Sequence, residues 1–404
     1  MSDLSFANLL VVCAIAVVAP LLLGFAPRVR VPSAVLEIVA GILVGPAFLG
    51  WVDVDVVLRV LSLIGLAFLL FLAGLEIDLG RLRGPLLRLA LLGYGVTIAL
   101  GLAIGAALSG VGWVGSPVLV AVLLSATSLG LVVAVLKDAD QVEGTVGQMI
   151  IPSATVADFA AIVLLTLFFS MSEGSVGGKV FLLGVFAGLV GIVALVLERS
   201  GRSMSLGGLL ERLQDTTAQI RVRLAVVLLV ALVAIAEHLG LESILGAFLA
   251  GALVGLVDRD ASSHPRLRVK LDAIGHGFLI PVFFVTSGIG LDLQGLVDEP
   301  AALLRVPVFL LALLAVRGLP ALLYLPSLGR QRTLAAALLQ ATSLPFIVTA
   351  ATLGVAVGEL TAVNAAALVC AGLLSVVVFP AVALSRLRAH VLDGPDEPVR
   401  SEAG

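Results

Sequence analysis

The chain has 404 residues, of which 60% are hydrophobic and only 13% charged, with a mean hydropathy of +1.19. A soluble globular protein carries about a quarter charged residues, so this chain could not cover its own surface in water, and the bilayer is expected to be its solvent. The net charge of −3 carries little, because in such a chain the distribution of charge matters more than its sum.

The N-terminal stretch MSDLSFANLL lacks the basic region and small-residue cleavage site of a signal peptide, so the first apolar run reads as a retained helix. A spanning helix needs about 20 mostly apolar residues. Thirteen segments qualify, at roughly 6–24, 33–50, 56–74, 85–109, 116–137, 147–170, 177–197, 221–239, 241–257, 272–290, 302–326, 332–354 and 361–386, with a short tail at 389–404. Cys13 and Cys370 both fall inside apolar runs, too few and too scattered for a disulfide framework or a metal site. Orientation follows from the basic residues. Twenty of the 24 Lys and Arg residues lie on one side, against Arg59, Lys179 and Arg305 on the other, with Arg317 inside a span. The N-terminus is therefore expected outside and the C-terminus in the cytoplasm.

Three segments recur in the same order. Ala40–Gly45 (AGILVG) matches Ala250–Gly255 (AGALVG) at an offset of 210; Gly74–Leu79 (GLEIDL) resembles Gly288–Leu293 (GIGLDL) at 214; Leu123–Leu129 (LLSATSL) matches Leu338–Leu344 (LLQATSL) at 215. The offset pairs spans two, three and five with spans nine, ten and twelve. A step of seven, an odd number, makes the two copies cross in opposite directions. The expected plan is an inverted repeat: copy one at 6–170, a linking helix at 177–197, and copy two at 221–386. Packing of small residues would explain the AGxLVG pair as well. It explains the paired Ala-Thr-Ser-Leu poorly.

In this plan substrate sites lie near the midplane, where helices are interrupted. Ser125, Thr127 and Ser128 precede Gly130 in the fifth span, and Thr342 and Ser343 precede Pro345 in the twelfth. Proline deletes a backbone donor and glycine loosens a turn, so both spans are expected to break there. Freed carbonyls and half-helix ends could coordinate a cation; the alternative is that these hydroxyls are simply tolerated in membrane helices. Asp158 stands at the middle of the sixth span, with Thr155 one turn before it. A charge at this depth costs several kcal/mol and marks function by default. A carboxylate kept from water can hold a proton near neutral pH and yield it to a cation, which is the core of an exchange mechanism; the alternative is a structural Asp bonded to a neighbouring helix or to Arg317. Arg317 needs an anionic partner or a half-helix C-terminus, and Asp158 and the break in the twelfth span are its candidates. It would balance charge at an empty site or hold the fold. Glu37 and Glu76 lie toward helix ends, where capping or snorkelling is as good a reading as transport. His276 enters the tenth span near the cytoplasm, an interfacial position.

Together, Leu36–Pro46 (LEIVAGILVGP), Gly74–Leu79, the SATS segment, the Asp158 span, Pro281–Leu293 (PVFFVTSGIGLDL) and the Arg317 span resemble the second family of monovalent cation:proton antiporters. That group contains bacterial sodium/proton antiporters and glutathione-gated potassium efflux systems. The resemblance covers about residues 6–388. It implies a dimer domain, a mobile core with crossed broken helices, elevator-like alternating access and a homodimer. It also implies that Asp158 is the ion-binding carboxylate, that Thr127 and Ser128 flank the ion, and that Arg317 is the basic residue of the eleventh helix. The chain departs from the family in having Ala157, where an Asp, Asn or Gln often precedes the key Asp. One carboxylate at the site predicts one proton per cation, hence electroneutral exchange. The short tail leaves no room for the nucleotide-binding domain of the potassium efflux systems.

The expectation is an all-α, polytopic secondary transporter of the cytoplasmic (inner) membrane, exchanging Na⁺ or K⁺ for protons, with lipid as its surroundings. It needs no cofactor and no nucleic-acid partner. No nucleophile-base set or metal-ligand cluster suggests an enzyme. The rivals are a proton-coupled organic solute transporter on the same fold and a channel-like potassium efflux protein or non-transporting subunit.

Overall fold

The structure, a computed structural model, describes residues 6–25, 32–77, 84–138, 140–170, 176–201, 219–257 and 265–392. Asp78 and Leu79 of the GLEIDL segment, several of the cationic residues used for orientation, and the tail from 393 onward lie outside the described residues. Among the described residues every regular element is helical. The first half comprises α1 (Phe6–Phe25), α2 (Ser33–Val44), α3 (Val56–Leu75), α4 (Gly84–Gly110), α5 (Pro117–Ser125), α6 (Leu129–Asp138), α7 (Thr145–Ser170) and α8 (Val176–Gly201). Next come α9 (Ile220–His238), α10 (Ser243–Val257) and α11 (Pro265–Ile274), which passes through a π turn at Gly275–Leu279 into α12 (Ile280–Ile289). Two short helices, α13 (Leu293–Asp298) and α14 (Pro300–Leu303), lead into α15 (Arg305–Leu313). A π turn (Leu314–Gly318) and a 3₁₀ turn (Leu319–Tyr324) follow, then α16 (Leu325–Gln340), α17 (Pro345–Ala356) and α18 (Ala362–Leu392).

Among the described residues, eight helical runs are long and apolar enough to cross a membrane. One of them, Pro300–Ala356, contains what the sequence divides into its eleventh and twelfth spans. The outer surface is apolar where water would demand charge: Leu10, Leu21 and Phe25 of α1 are 69%, 55% and 86% exposed. Such a surface is solvated by acyl chains, and helices close their own backbone hydrogen bonds within it.

Between helices the packing rests on glycine, because hydrocarbon offers no hydrophobic drive for association and close backbone approach supplies the contact instead. A Cβ added at Gly41 would lie 2.2 Å from the Val285 carbonyl oxygen, and one at Gly288 would lie 2.2 Å from that of Ile38. A Cβ at Gly251 would lie 1.8 Å from the Phe71 carbonyl oxygen, and one at Gly74 2.0 Å from that of Phe248. The first AGxLVG segment thus packs on the second copy of the Gly-x-x-x-Asp-Leu segment, and the second AGxLVG packs on the first. Both pairs of matching segments are close-packing surfaces, as their small residues allow, and they engage each other reciprocally.

Two helices break in mid-span. Ser116 caps α5, its Oγ accepting from the Leu119 amide at 3.3 Å, with Pro117 in the first turn. The helix ends when Ala126 turns extended (φ −77°, ψ 155°), and α6 starts anew at Leu129. Similarly α16 ends at Gln340 and α17 begins at Pro345, whose missing N–H suits a first helical turn. Gly130 is not the breaking residue, since it lies inside α6, beyond the unwound 126–128 stretch. At one end of the molecule the α4–α5 connection is tied to the second half. Arg305 lies 5.5 Å over the Trp113 ring and donates to Asn364 Oδ1 at 2.7 Å.

The glycine contacts make a direct prediction. Gly251→Ala forces a methyl group onto the Phe71 carbonyl and should destabilise the protein by about 1–3 kcal/mol, read as a lower melting temperature of the detergent-purified protein. Gly191→Ala in α8, where nothing lies within 4 Å of the added Cβ, should leave it unchanged.

Candidate functional site

The two breaks meet. The Ser128 amide donates to the Thr342 carbonyl at 2.9 Å, and the Thr127 hydroxyl donates to the Gln340 carbonyl at 2.7 Å. A helix end leaves several backbone groups unsatisfied, and in the bilayer they must find protein partners. These two hydrogen bonds satisfy part of that demand by joining one unwound stretch to the other.

Asp158 approaches this junction from α7. Its Oδ1 accepts from the Thr127 amide at 3.1 Å and its Oδ2 from the Leu129 amide at 3.2 Å. The carboxylate therefore caps the start of α6, where orphan amides and the helix dipole favour negative charge. It is half-buried, whereas Ala157 beside it is fully buried in a patch with Ala90, Tyr94 and Val156. The missing polar neighbour is thus replaced by tight packing. Among the described residues no group of three His, Cys, Asp or Glu side chains could hold a metal ion. A cation at Asp158 would therefore draw most of its shell from neutral oxygens.

Arg317 reaches the junction from the π turn of the eleventh span and is 1% exposed. Its Nε and Nη2 donate to the Thr127 Oγ1 at 2.8 and 2.6 Å, and its Nη1 donates to the Thr97 Oγ1 at 3.2 Å. Among the described residues neither of its two candidate partners, Asp158 and the break in the twelfth span, is bonded to it directly: it meets Thr127 at the break in the fifth span, and Thr127 in turn bonds the Gln340 carbonyl at the end of α16. Among the described residues Asp158 and Arg317 form no direct ion pair; Thr127 stands between them, its amide on the carboxylate and its hydroxyl on the guanidinium. A hydroxyl has one donor and two acceptor positions, and that of Thr127 uses all three, on Arg317 twice and on the Gln340 carbonyl once. It has none left for a cation, so the oxygens that remain in the unwound stretch are its carbonyls and the Ser128 hydroxyl.

The other residues singled out from the sequence divide. Ser128 takes part through its amide. The Ser125 hydroxyl donates to the Val122 carbonyl at 2.8 Å and lies 3.1 Å from the Tyr94 hydroxyl. The Thr155 hydroxyl donates to Ile151 of its own helix at 2.9 Å, and that of Thr342 to Leu338 at 3.1 Å. Both donate to their own helices, a common use of Ser and Thr in apolar surroundings, and keep their acceptor positions. The Ser343 amide donates to Ser375 Oγ of α18 at 3.2 Å. The second break is therefore served by a neutral hydroxyl, while Asp158 serves the first. Pro345 opens α17.

Further residues enter that sequence reasoning had not placed here. Gln340 is fully buried and its Nε2 donates to the Tyr324 hydroxyl at 3.1 Å. Its position opposite Ser125 in the repeated LLxATSL segment was the available signal. Thr97 and Ser375 had none beyond being polar in apolar helices. Glu76 does not merely cap or snorkel: a Cβ added to Gly130 would lie 3.4 Å from Glu76 Oε2, so its carboxylate leans on the first turn of α6. Gly130 makes room for it. Glu37, read as an end-of-helix residue, is 3% exposed within α2. His276 is exposed in its π turn, as an interfacial residue would be.

Comparison with known proteins matches this geometry to a family. A family model for the transmembrane region of sodium/hydrogen exchangers matches residues 13–385. A putative Na⁺/H⁺ antiporter of Bacillus subtilis (strain 168), YjbQ, is 33% identical over 382 residues, covering 88% of this chain and 58% of that protein. The chain thus spans less than two thirds of that relative's length. The Na⁺/H⁺-K⁺ antiporter GerN of Bacillus cereus is 26% identical over 275 residues, 67% of this chain and 68% of that protein. The sodium proton antiporter MjNhaP1 of Methanocaldococcus jannaschii, solved at pH 8, shares the fold with a TM-score of 0.63 at 17% identity, covering 94% of this chain and 96% of that one. The chain is a multi-pass membrane protein and belongs to the sodium/hydrogen exchanger family, which comprises cation:proton antiporters and not enzymes.

Proposed function

We propose that the protein exchanges a monovalent cation, Na⁺ or K⁺, for protons across the cytoplasmic membrane, with Asp158 binding the two in turn. The observation that carries this reading is the Asp158 carboxylate itself. It is half-buried, bonded to two backbone amides at a helix break, and separated from the nearest buried cation by a threonine. A carboxylate paired directly with Arg317 would be held as an ion and would bind neither proton nor cation readily. Insulated by Thr127, it can be neutralised by either. Carbonyls of residues 126–128 would complete the cation's shell, and Glu76 would draw cations toward it. The Na⁺/H⁺ and Na⁺/H⁺-K⁺ antiporter names of the relatives support the same reading.

The architecture proposed with it has thirteen crossings, the N-terminus outside and the C-terminus in the cytoplasm. Inverted halves at 6–170 and 221–386 flank a linking helix, and the reciprocal glycine packing and the two touching breaks favour such a plan. In a homodimer, a core holding both breaks and Asp158 would move against a fixed scaffold and expose the site to each side in turn. The proposed stoichiometry is one proton per cation, with Asp158, the carboxylate bonded to the amides of the first break, as the exchanging group and Glu76 beside α6 only attracting cations; the second break has Ser375 in the place of Asp158.

In everted vesicles, adding Na⁺ or K⁺ to the wild-type protein should collapse an imposed pH gradient. Asp158→Asn keeps the shape and removes the titrating proton; its signal should fall to that of vesicles without the protein. Full exchange by that variant would defeat the proposal. With a potassium–valinomycin clamp, the Na⁺-driven rate should be the same at zero and at a large membrane potential, since a one-for-one exchange moves no net charge. A potential-dependent rate would defeat the stoichiometry alone.

A further inference from the structure

The π turn that carries Arg317 has an outer side. Facing away from the site is a groove of about 1050 Å³, formed by the eleventh span, α16 and the end of α18. This lies at the upper end of the size range of small-molecule sites. Its walls are apolar, and Leu311, Leu322 and Leu334 are 64%, 57% and 44% exposed along it. One end is different. Arg330 and Arg386 line it there, both exposed, with the Arg386 Nη1 donating to the Gln331 Oε1 at 3.4 Å. Any membrane helix touches lipid, but this surface is concave, lined largely by leucine, and cationic where Arg330 and Arg386 line it.

A second feature is independent of that charge pattern. Thr333 lines the groove, is 3% exposed, and its hydroxyl has no hydrogen-bond partner among the described residues. A buried hydroxyl without a partner costs free energy. Most such threonines bond to their own helix, as Thr155 and Thr342 do here. Threonine populates two side-chain rotamers in a helix, so this hydroxyl can turn toward an acceptor in the groove.

We propose that the groove binds an anionic phospholipid, its phosphate held by Arg330 and Arg386, an ester or phosphate oxygen taken by Thr333, and an acyl chain laid along the leucine wall. Arginine suits this task, since its planar fork matches phosphate oxygens in pairs. Both arginines belong to the set expected on the cytoplasmic side, where anionic lipid attracts basic residues near the membrane surface. The occupant would also lie on structure that matters to the site. Leu314, Ala315 and Gly318 of the groove are residues of the π turn that presents Arg317 on its other face. A bound lipid would brace that turn from outside.

Native mass spectrometry of the whole detergent-purified protein tests this, with three probes: phosphatidylglycerol, phosphatidylcholine of the same acyl chains, and inorganic phosphate. Phosphatidylglycerol should bind at concentrations where the other two leave no adduct. The double variant Arg330→Ala/Arg386→Ala should bind it about tenfold or more weakly, the loss of a hydrogen bond to a charged group, and Arg330→Lys/Arg386→Lys should recover most of that. Thr333→Val, close in shape, should weaken binding by about threefold or more. Elution of each variant as wild type in gel filtration keeps the comparison to folded protein. Equal binding of the two lipids, adducts with phosphate alone, or unchanged phosphatidylglycerol binding in the alanine variant overturns the proposal. None of these readouts depends on transport.

Discussion

The Thr127 hydroxyl accepts from two nitrogens of Arg317 and donates to the Gln340 carbonyl, while the amide of the same residue donates to Asp158. Those four hydrogen bonds bring together a buried cation, the end of one half-helix, the start of another and the carboxylate proposed to carry the cargo. A guanidinium this deep in a bilayer is tolerable only if every donor finds an oxygen. Here the oxygens are neutral. Thr127 and Thr97 supply them, and the Thr127 hydroxyl links the cation to the Gln340 carbonyl at the end of α16, where the helix dipole is negative. Asp158 lies at the amide end of α6, where it is positive. Each charge is met by half-helix ends and hydroxyls and not by the other charge. That arrangement leaves the carboxylate stable enough to be ionised and unpaired enough to be neutralised.

The two breaks serve unequal ends of one arrangement. At the first, a carboxylate from α7 receives the amides of Thr127 and Leu129; at the second, a hydroxyl from α18 receives the amide of Ser343 and passes its proton toward the Ser343 and Gly372 carbonyls. Both satisfy orphan backbone groups in surroundings without water. Only one of them titrates. In the proposed plan of two inverted halves, one site carries cargo only where the halves differ chemically, and the exchange of Asp for Ser at matching tasks would be such a difference.

Much of this was legible in the chain itself. Composition placed it in the membrane, and a carboxylate and an arginine inside apolar spans are expensive enough to announce themselves. The repeated Ala-Thr-Ser-Leu pointed to both breaks because hydroxyls, glycine and proline cluster there. What the pattern could not say was which helix faces which. Thr155, one turn before Asp158, was read as part of the site; its proton goes to the Ile151 carbonyl, a choice that spacing does not reveal, and its lone pairs stay open to a cation. Thr97, Gln340 and Ser375 sit far from Asp158 in sequence, and nearly uniform hydrophobicity gives membrane helices little periodicity from which a buried face could be read. Gly130 looked like a breaking residue; it is a helical one, small because Glu76 lies against it. The AGxLVG match was read as part of a repeat, with small-residue packing as the alternative; both segments do pack closely, and only the structure shows each against a glycine of the other matching segment.

The account stands or falls on a single carboxylate exchanging a proton for a cation. The most direct measurement is proton release on cation binding by the unbuffered, detergent-purified protein, followed with a pH-sensitive dye at near-neutral pH as Na⁺ or K⁺ is added. About one proton should be released per protomer at saturating cation, since Asp158 is the group proposed to exchange its proton, and none from Asp158→Asn. Cation binding without proton release, or release unchanged in that variant, would contradict it.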